Sequence, residues 1–385
     1  MNKKLIALAI ATAFAAPVAM ADSGNVKISG ELNLSFDSIT GAVGGSTDNM
    51  AMSNVSSNSS NIVFSGDEDL GNGMKAIWQV QTFTSMGGTG NSDSVNTDGL
   101  GNGSSFAGLT GGFGTVKLGK MDTPFKAIGR KVDLFSNQVG DSRNLISSGG
   151  VAGTGNTWDL RTNNAASYTS PAMNGFQATA HYSTNYDTST ANTLAATSAA
   201  SVGATYENGP VFAGLSYERY NTAGTGKVTP PNAWRLVGGY NFGDLKLVGL
   251  YQKSRDNNST EGVATTTATL TAGTASDDER NVWGLGAAYK MGSNTLKAQY
   301  YRAGDFGNAG DTGANMWALG MDHAMSKRTT AYVAYSRTAN DSRSVNGTAS
   351  NLAAFSATGG GHGDNAGSIA GQNTNAVSVG MIHKF

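Results

Sequence analysis

The chain has 385 residues, no cysteine, and 26 basic against 27 acidic side chains. The missing cysteines exclude disulfides and thiolate metal sites, and the balanced charge offers no basic surplus for nucleic acid. Glycine is abundant (53) and proline scarce (6), a balance suited to many strands and turns rather than to disorder.

Residues 1–21 have the form of a secretory signal peptide. Lys3 and Lys4 make a basic start, Leu5 to Ala16 an apolar run, and Ala19-Met20-Ala21 a small-residue cleavage site. The apolar run is too short for a spanning anchor. The mature chain is therefore expected to be one exported domain, residues 22–385. Losing two lysines leaves 24 basic against 27 acidic groups, a net charge of −3. Beyond Ala21 nothing approaches the ~20 apolar residues of a spanning helix. Mean hydropathy is −0.25. A membrane β-barrel has equally weak hydropathy, because only alternate residues face lipid.

From Val26 the sequence alternates. Val26, Ile28, Gly30, Leu32, Leu34 and Phe36 share one face; Lys27, Ser29, Glu31, Asn33, Ser35 and Asp37 share the other. The same period recurs at Phe176–Ser183, Val211–Tyr217, Trp234–Tyr240, Trp283–Tyr289, Leu296–Tyr300 and the terminal Val377–Phe385. The facing of Leu245–Ser254 and Thr329–Arg337 stays open. The pattern predicts about 16 strands.

Short connections rich in turn formers, such as Glu207–Pro210, Phe242–Asp244 and Met291–Asn294, alternate with long polar ones. The long ones are expected near Ser38–Ser59, Met86–Gly103, Asn185–Ala199, Asn221–Asn232, Arg255–Asp278, Gly304–Gly313 and Ala339–Asn373. The fold class expected is all-β: a transmembrane antiparallel barrel with short periplasmic turns and long external loops. Tyr168, Tyr182, Tyr206, Tyr217, Tyr240, Tyr251, Tyr289 and Tyr300 recur at strand ends, as in an interfacial girdle.

Met121–Leu160 differs from the other connections. Thr123 is an N-cap candidate, Pro124 sits at the first helical position, and Phe125, Ile128, Val132 and Phe135 fall near helical spacing. A helix with an apolar seam inside a polar loop needs a surface to lean on. A loop folded into the barrel would find one on the wall.

Several segments together resemble the general porins of Gram-negative bacteria, of the neisserial and β-proteobacterial type. They are Glu68–Ala76, Phe106–Lys120, Arg161–Asn164 with Tyr168–Pro171, and the ending His383-Lys384-Phe385. The resemblance implies a homotrimer of 16-stranded barrels in the outer membrane, each narrowed by an inward loop 3. It implies an eyelet in which basic wall residues face acidic loop residues. By position, Lys120 and Arg161 are the wall cations that flank the loop; Lys117 faces the lumen if Val116 and Leu118 face lipid. Asp133 is the first acidic candidate, with Asp122 and Asp141 behind it. At Asn61 the family usually has arginine, so the eyelet is expected to be less positive than in anion-selective relatives. Phe385 is the aromatic signal read by the barrel-assembly machinery. The other expected partners are outer-membrane lipid, lipopolysaccharide and small hydrophilic solutes.

The function expected is passive diffusion of small hydrophilic solutes and ions, with a substrate-specific channel as the alternative. An enzyme would need a histidine with a carboxylate or serine partner. His181, His323, His362 and His383 show none in sequence. No cofactor or metal site is expected; Asp67-Glu68-Asp69 lacks the spacing of a calcium loop.

Overall fold

A computed structural model describes residues 26–42, 49–84, 86, 99–147, 158–184, 198–221, 230–256, 278–305, 307, 310–342, 355–358, 362–363, 368 and 371–385. The expected signal peptide lies outside them. Among the described residues seventeen strands form one antiparallel sheet that closes on itself. They are β1 (Lys27–Ala42), β2 (Asn49–Ser57), β3 (Asn61–Gly71), β4 (Met74–Phe83), β5 (Ser105–Gly111) and β6 (Gly114–Asp122). After the loop come β7 (Arg161–Thr169), β8 (Phe176–Thr184), β9 (Ser198–Asn208), β10 (Val211–Asn221), β11 (Asn232–Phe242) and β12 (Leu245–Asp256). The last are β13 (Asp278–Met291), β14 (Asn294–Ala303), β15 (Ala314–Ala324), β16 (Thr329–Asn340) and β17 (Asn373–Lys384). Two helices, α1 (Pro124–Arg130) and α2 (Arg143–Ile146), lie in the loop between β6 and β7.

β2 and β3 share one place in the wall. β1 pairs with β2 over Leu34–Ala42 and with β3 over Lys27–Glu31. The break at Asn58–Ser60 is filled by polar groups: Ser60 Oγ accepts from Asn33 N at 3.0 Å, and Asn58 Nδ2 donates to Ser35 Oγ at 2.8 Å. Seventeen strands less this one shared place make a wall sixteen strands wide, as the alternation predicts. The expected loop Ser38–Ser59 is a correction. Most of it extends the β1–β2 hairpin, with Leu34–Ala42 paired to Asn49–Ser57; Ile39 opposite Met52 lies on the inner face and Phe36 opposite Val55 is exposed.

Closure joins β1 to β17, from Glu31↔Lys384 to Thr40↔Asn375. No open edge is left for lipid to meet. Gly30 and Phe385 exchange backbone hydrogen bonds of 3.1 Å each. A Cβ on Gly30 would stand 2.7 Å from the Phe385 ring, so the terminal aromatic lies where only glycine leaves room.

Outward parity follows the apolar pattern. Ile28, Phe36, Phe176, Leu215, Leu285 and Val379 are exposed, while Asn33, Asp37, Ser183, Ser216 and Ser378 are buried inside. The two segments of open facing now have one: Leu247, Tyr251 and Val333 point out, Val248, Leu250 and Tyr332 in. Their ambiguity has a physical cause. These strands carry apolar residues on both faces because the inner face also packs on the inward loop. Exposed tyrosines ring both ends of the wall, with Tyr206 half-buried.

The interior core is the seat of that loop. Ile128, Val132, Leu145 and Ile146 pack with the inward wall residues Val237, Val248, Leu250, Val282, Tyr301 and Met316. Phe135 and Val139 pack with Tyr332, Ala318 and Ala376. Wall glycines make space for them: a Cβ on Gly203 or Gly214 would come within 3 Å of Ile128, and one on Gly286 or Gly320 equally close to Leu134 or Phe135. Burying such a side chain is worth about 1.5–3 kcal/mol. Several together hold the loop against the wall.

Candidate pore constriction

The loop begins as its sequence predicts. Thr123 caps α1, accepting from Lys126 N at 3.3 Å, and Pro124 opens the helix. The helix ends at Arg130, and the apolar seam continues through turns to Phe135 and Val139. Behind it Trp158 sits between Phe125 and Tyr220, at centroid distances of 5.9 and 5.3 Å. The return is clamped by a buried pair in which Arg235 Nη1 and Nη2 donate to Asp159 at 2.5 and 3.0 Å. Arg235 also donates to the Phe125 carbonyl and to Gln252 Oε1, both at 2.9 Å, and its guanidinium stacks on the Phe125 ring.

Opposite the seam a cavity of about 620 Å³ opens into the lumen. Its barrel side is formed by Glu31, Asn61, Gln79, Gln81 and Phe83, its loop side by Lys126, Arg130, Asn137 and Arg143. Lys120, Asp122 and Arg161 complete it where loop and wall meet. A bulge brings them there. The β6–β7 register passes from Gly119↔Ala165 to Met121↔Thr162, so the extra residue lies on β7 at Asn163–Asn164, where Asn164 has φ +50°. Simple alternation from the exposed Val116 and Leu118 would turn Lys120 outward. On β6 itself Gly119 has φ +146°, a conformation open to glycine, and this breaks the alternation and turns Lys120 to the cavity.

Asp122 is the local organiser of charge. It pairs with Arg161 Nε at 2.9 Å across the strands and with Lys126 Nζ at 3.1 Å one helical turn on. The Arg161 guanidinium also lies over Phe83, 5.0 Å from its centroid. Arg130 donates to Ser136 Oγ at 2.5 Å; Arg143 donates to Asn137 Oδ1 at 2.8 Å and pairs with Asp141 at 2.7 Å. Burial pushes the Lys126 ammonium down to about 8, with Asp122 opposing and Arg161, Arg143 and Arg130 adding to the depression.

The structure thus brings Asn61, Lys120, Asp122 and Arg161 together around one cavity. It puts the other candidates elsewhere. Asp141 is fully buried and accepts from Asn137 N and Arg143 N at 2.8 Å each. Asp133 accepts from Phe135 N at 3.0 Å, Ser142 N at 3.2 Å and Gln299 Nε2 at 3.2 Å. Burial, reinforced by the Asp141 carboxylate, raises the Asp133 carboxyl to about 7. Neither borders the cavity. Asn61 Nδ2 is turned to the Ser59 carbonyl at 2.9 Å. Lys117 has the lumen parity, but its ammonium lies 4.3 Å above the Phe106 ring, apart from the cavity.

Lys126, Arg130 and Arg143 were not singled out in sequence, although the basic spacing 126–130 on a capped helix was visible there. Nothing local announces Arg235 and Asp159, which meet across 76 positions. The histidines sit in the wall, its turns and the last loop. His181 bonds Thr162 at 2.7 Å, His323 bonds Asn294 at 2.8 Å, and His383 bonds Thr329 at 3.0 Å. His362 meets Asp37 at 3.3 Å, a buried pair that sequence reasoning missed. The acidic turn residue Asp67 pairs with Lys75 at 2.8 Å. Among the described residues no cluster of three or more metal-ligating side chains occurs.

The family model described as Gram-negative porin matches residues 7–343. The major outer membrane protein P.IB of Neisseria gonorrhoeae is 31% identical over 331 residues, covering 78% of this chain and 82% of that one. The outer membrane porin protein 32 of Delftia acidovorans is 30% identical over 340 residues, covering 86% and 88%. Among solved structures, the anion-selective porin from Comamonas acidovorans superposes with a TM-score of 0.71 at 27% identity, covering 94% of this chain and all of that one.

Proposed function

This chain belongs to the Gram-negative porin family, outer-membrane channels for passive diffusion, and we propose on that premise that its constriction favours small anions. The observation that carries the proposal is the charge around the cavity. Lys120, Lys126, Arg130, Arg143 and Arg161 face it, against Glu31 and Asp122. Five cations less two acids leave a surplus of three positive charges. In a narrow lumen with low-dielectric walls such a surplus concentrates anions and repels cations. Loop-borne cations thereby offset the arginine that Asn61 replaces. The same preference is named for the Comamonas acidovorans relative.

Among the described residues Phe83 is the one aromatic ring bordering the cavity. The inward Tyr220, Tyr301 and Tyr332 are buried under loops, so they offer no aromatic track for a sugar. That supports a general pore over a substrate-specific one. Homotrimeric assembly, and recognition of Phe385 by the assembly machinery, belong to the same reading and rest on family membership. Reversal potentials across a planar bilayer in a salt gradient test the selectivity. Anion preference is expected, falling toward neutrality in a Lys120→Gln/Arg161→Gln variant; cation preference in the unaltered protein would overturn it.

A further inference from the structure

Arg130 and Lys131 are neighbours at the end of α1, and they serve different cavities. Arg130 borders the constriction; Lys131 borders a second cavity of about 300 Å³, beside the short β9–β10 turn. The two cavities share no lining residue. Lys131 is tied down in the second one: its ammonium pairs with Glu207 and lies 5.0 Å above the Phe212 ring.

The floor of this cavity follows from strand register. Phe212 on β10 faces Gly239 on β11, and Gly239 faces Val248 on β12. All three have the inward parity, opposite to that of the exposed Leu215, Tyr240 and Leu247. Phe212 and Val248 thus rise from strands two spacings apart, about 9.5 Å, with no side chain between them. A flat ring that touches carbon on both faces needs about 7–8 Å. A Cβ on Gly239 would meet the Leu247 carbonyl oxygen at 3.4 Å and Val248 Cγ1 at 3.5 Å, ordinary contacts, so the space above this glycine is open. One inward position toward the turns, about 7 Å along the strands, Asn241 faces Lys246. Lys246 is half-buried, and among the described residues no carboxylate pairs with its ammonium.

Charge and shape together select the occupant. Lys131 and Lys246 against Glu207 leave one positive charge, and Glu207 is already matched by Lys131. The spare charge is therefore that of Lys246, at the edge of an apolar slot. An inorganic anion draws nothing from the slot, and a sugar finds no donors or acceptors on the Phe212–Gly239–Val248 side chains. A ring in the slot places an attached carboxylate over the Asn241–Lys246 row, where an ammonium and an amide can donate to it. We propose that this cavity is a binding subsite for aromatic monocarboxylates, on the short-turn side of the constriction and separate from it.

The test is a saturation-transfer NMR titration of benzoate against the detergent-purified protein, with the signal from protein-free micelles subtracted. Acetate, which has the charge without the ring, and benzyl alcohol, which has the ring without the charge, are titrated alongside. Benzoate is expected to saturate, and each control to bind at least tenfold more weakly. Lys246→Gln should weaken benzoate about tenfold. Gly239→Leu should fill the slot and abolish binding, and Gly239→Ala, whose methyl group meets only ordinary contacts, should weaken it. Arg161→Gln, in the constriction, should bind benzoate as the unaltered protein does. Migration as a folded barrel reports that each variant is intact. Acetate binding as tightly as benzoate would mark a site of charge alone, and equal binding of benzyl alcohol a site of apolar surface alone; either overturns the proposal. So would undiminished benzoate binding by folded Lys246→Gln, or its loss in Arg161→Gln, which would move the site to the constriction.

Discussion

Asp159→Asn should loosen the inward loop while leaving the barrel standing. Asp159 has φ +72°, a conformation that asparagine tolerates, so the substitution changes charge without backbone strain. The Arg235 side chain is wholly buried and that of Asp159 is 2% exposed. Removing the carboxylate strands a guanidinium among Phe125, Gln252 and the loop backbone. Breaking one partner of a buried pair costs about 3–5 kcal/mol. Even about 3 kcal/mol raises an undocked population roughly 150-fold. The cost falls on loop docking, because the wall keeps its own interstrand ladder. Single-channel recordings should show strongly increased current fluctuation, and limited proteolysis should cut the loop in a barrel that still migrates as folded. Adding Arg235→Met removes the stranded charge and should restore most of the quiet, protected state. The reasoning fails if Asp159→Asn is as quiet and protected as the unaltered protein, or if the double variant is as disturbed as the single one.

Two predictions concern pH. The Lys126 ammonium, held near 8 by burial, is charged below that value and neutral above it. Anion preference should therefore fall as pH rises from 7 to 9, and Lys126→Gln should flatten that step in reversal potential. The Asp133 carboxyl is raised to about 7, so the folded loop favours its neutral form. Its contribution to docking is full below the ordinary carboxylate range and is lost as pH rises through about 7; Asp133→Asn should remove that dependence from proteolytic protection of the loop.

Much of the barrel was legible because its physics is local. Alternation decides the face of each side chain, and the Thr123 cap, Pro124 and the apolar seam mark a helix that must lean on something. Legibility failed where one residue serves two surfaces. Val248 and Leu250 read as ambiguous because the inner face of β12 is itself a packing face. It also failed over the charges of the loop. Asp133 and Asp141 are acidic residues in the right segment, but unpaired backbone N–H groups in a tightly turned loop bind their carboxylates and draw them inward.

By itself the sequence determined a closed, outward-apolar wall with one folded-in loop, because strand period, turn chemistry and helix capping act over a few residues. Only the tertiary structure decided which charges meet the solute. The positive-φ backbone at Gly119 turns Lys120 into the lumen, the seam's seat on wall glycines aims Lys126, Arg130 and Arg143 across it, and the Arg235–Asp159 clamp holds the loop there. These are contacts between residues distant in the chain, formed when a long loop packs inside a barrel, and no local pattern encodes them.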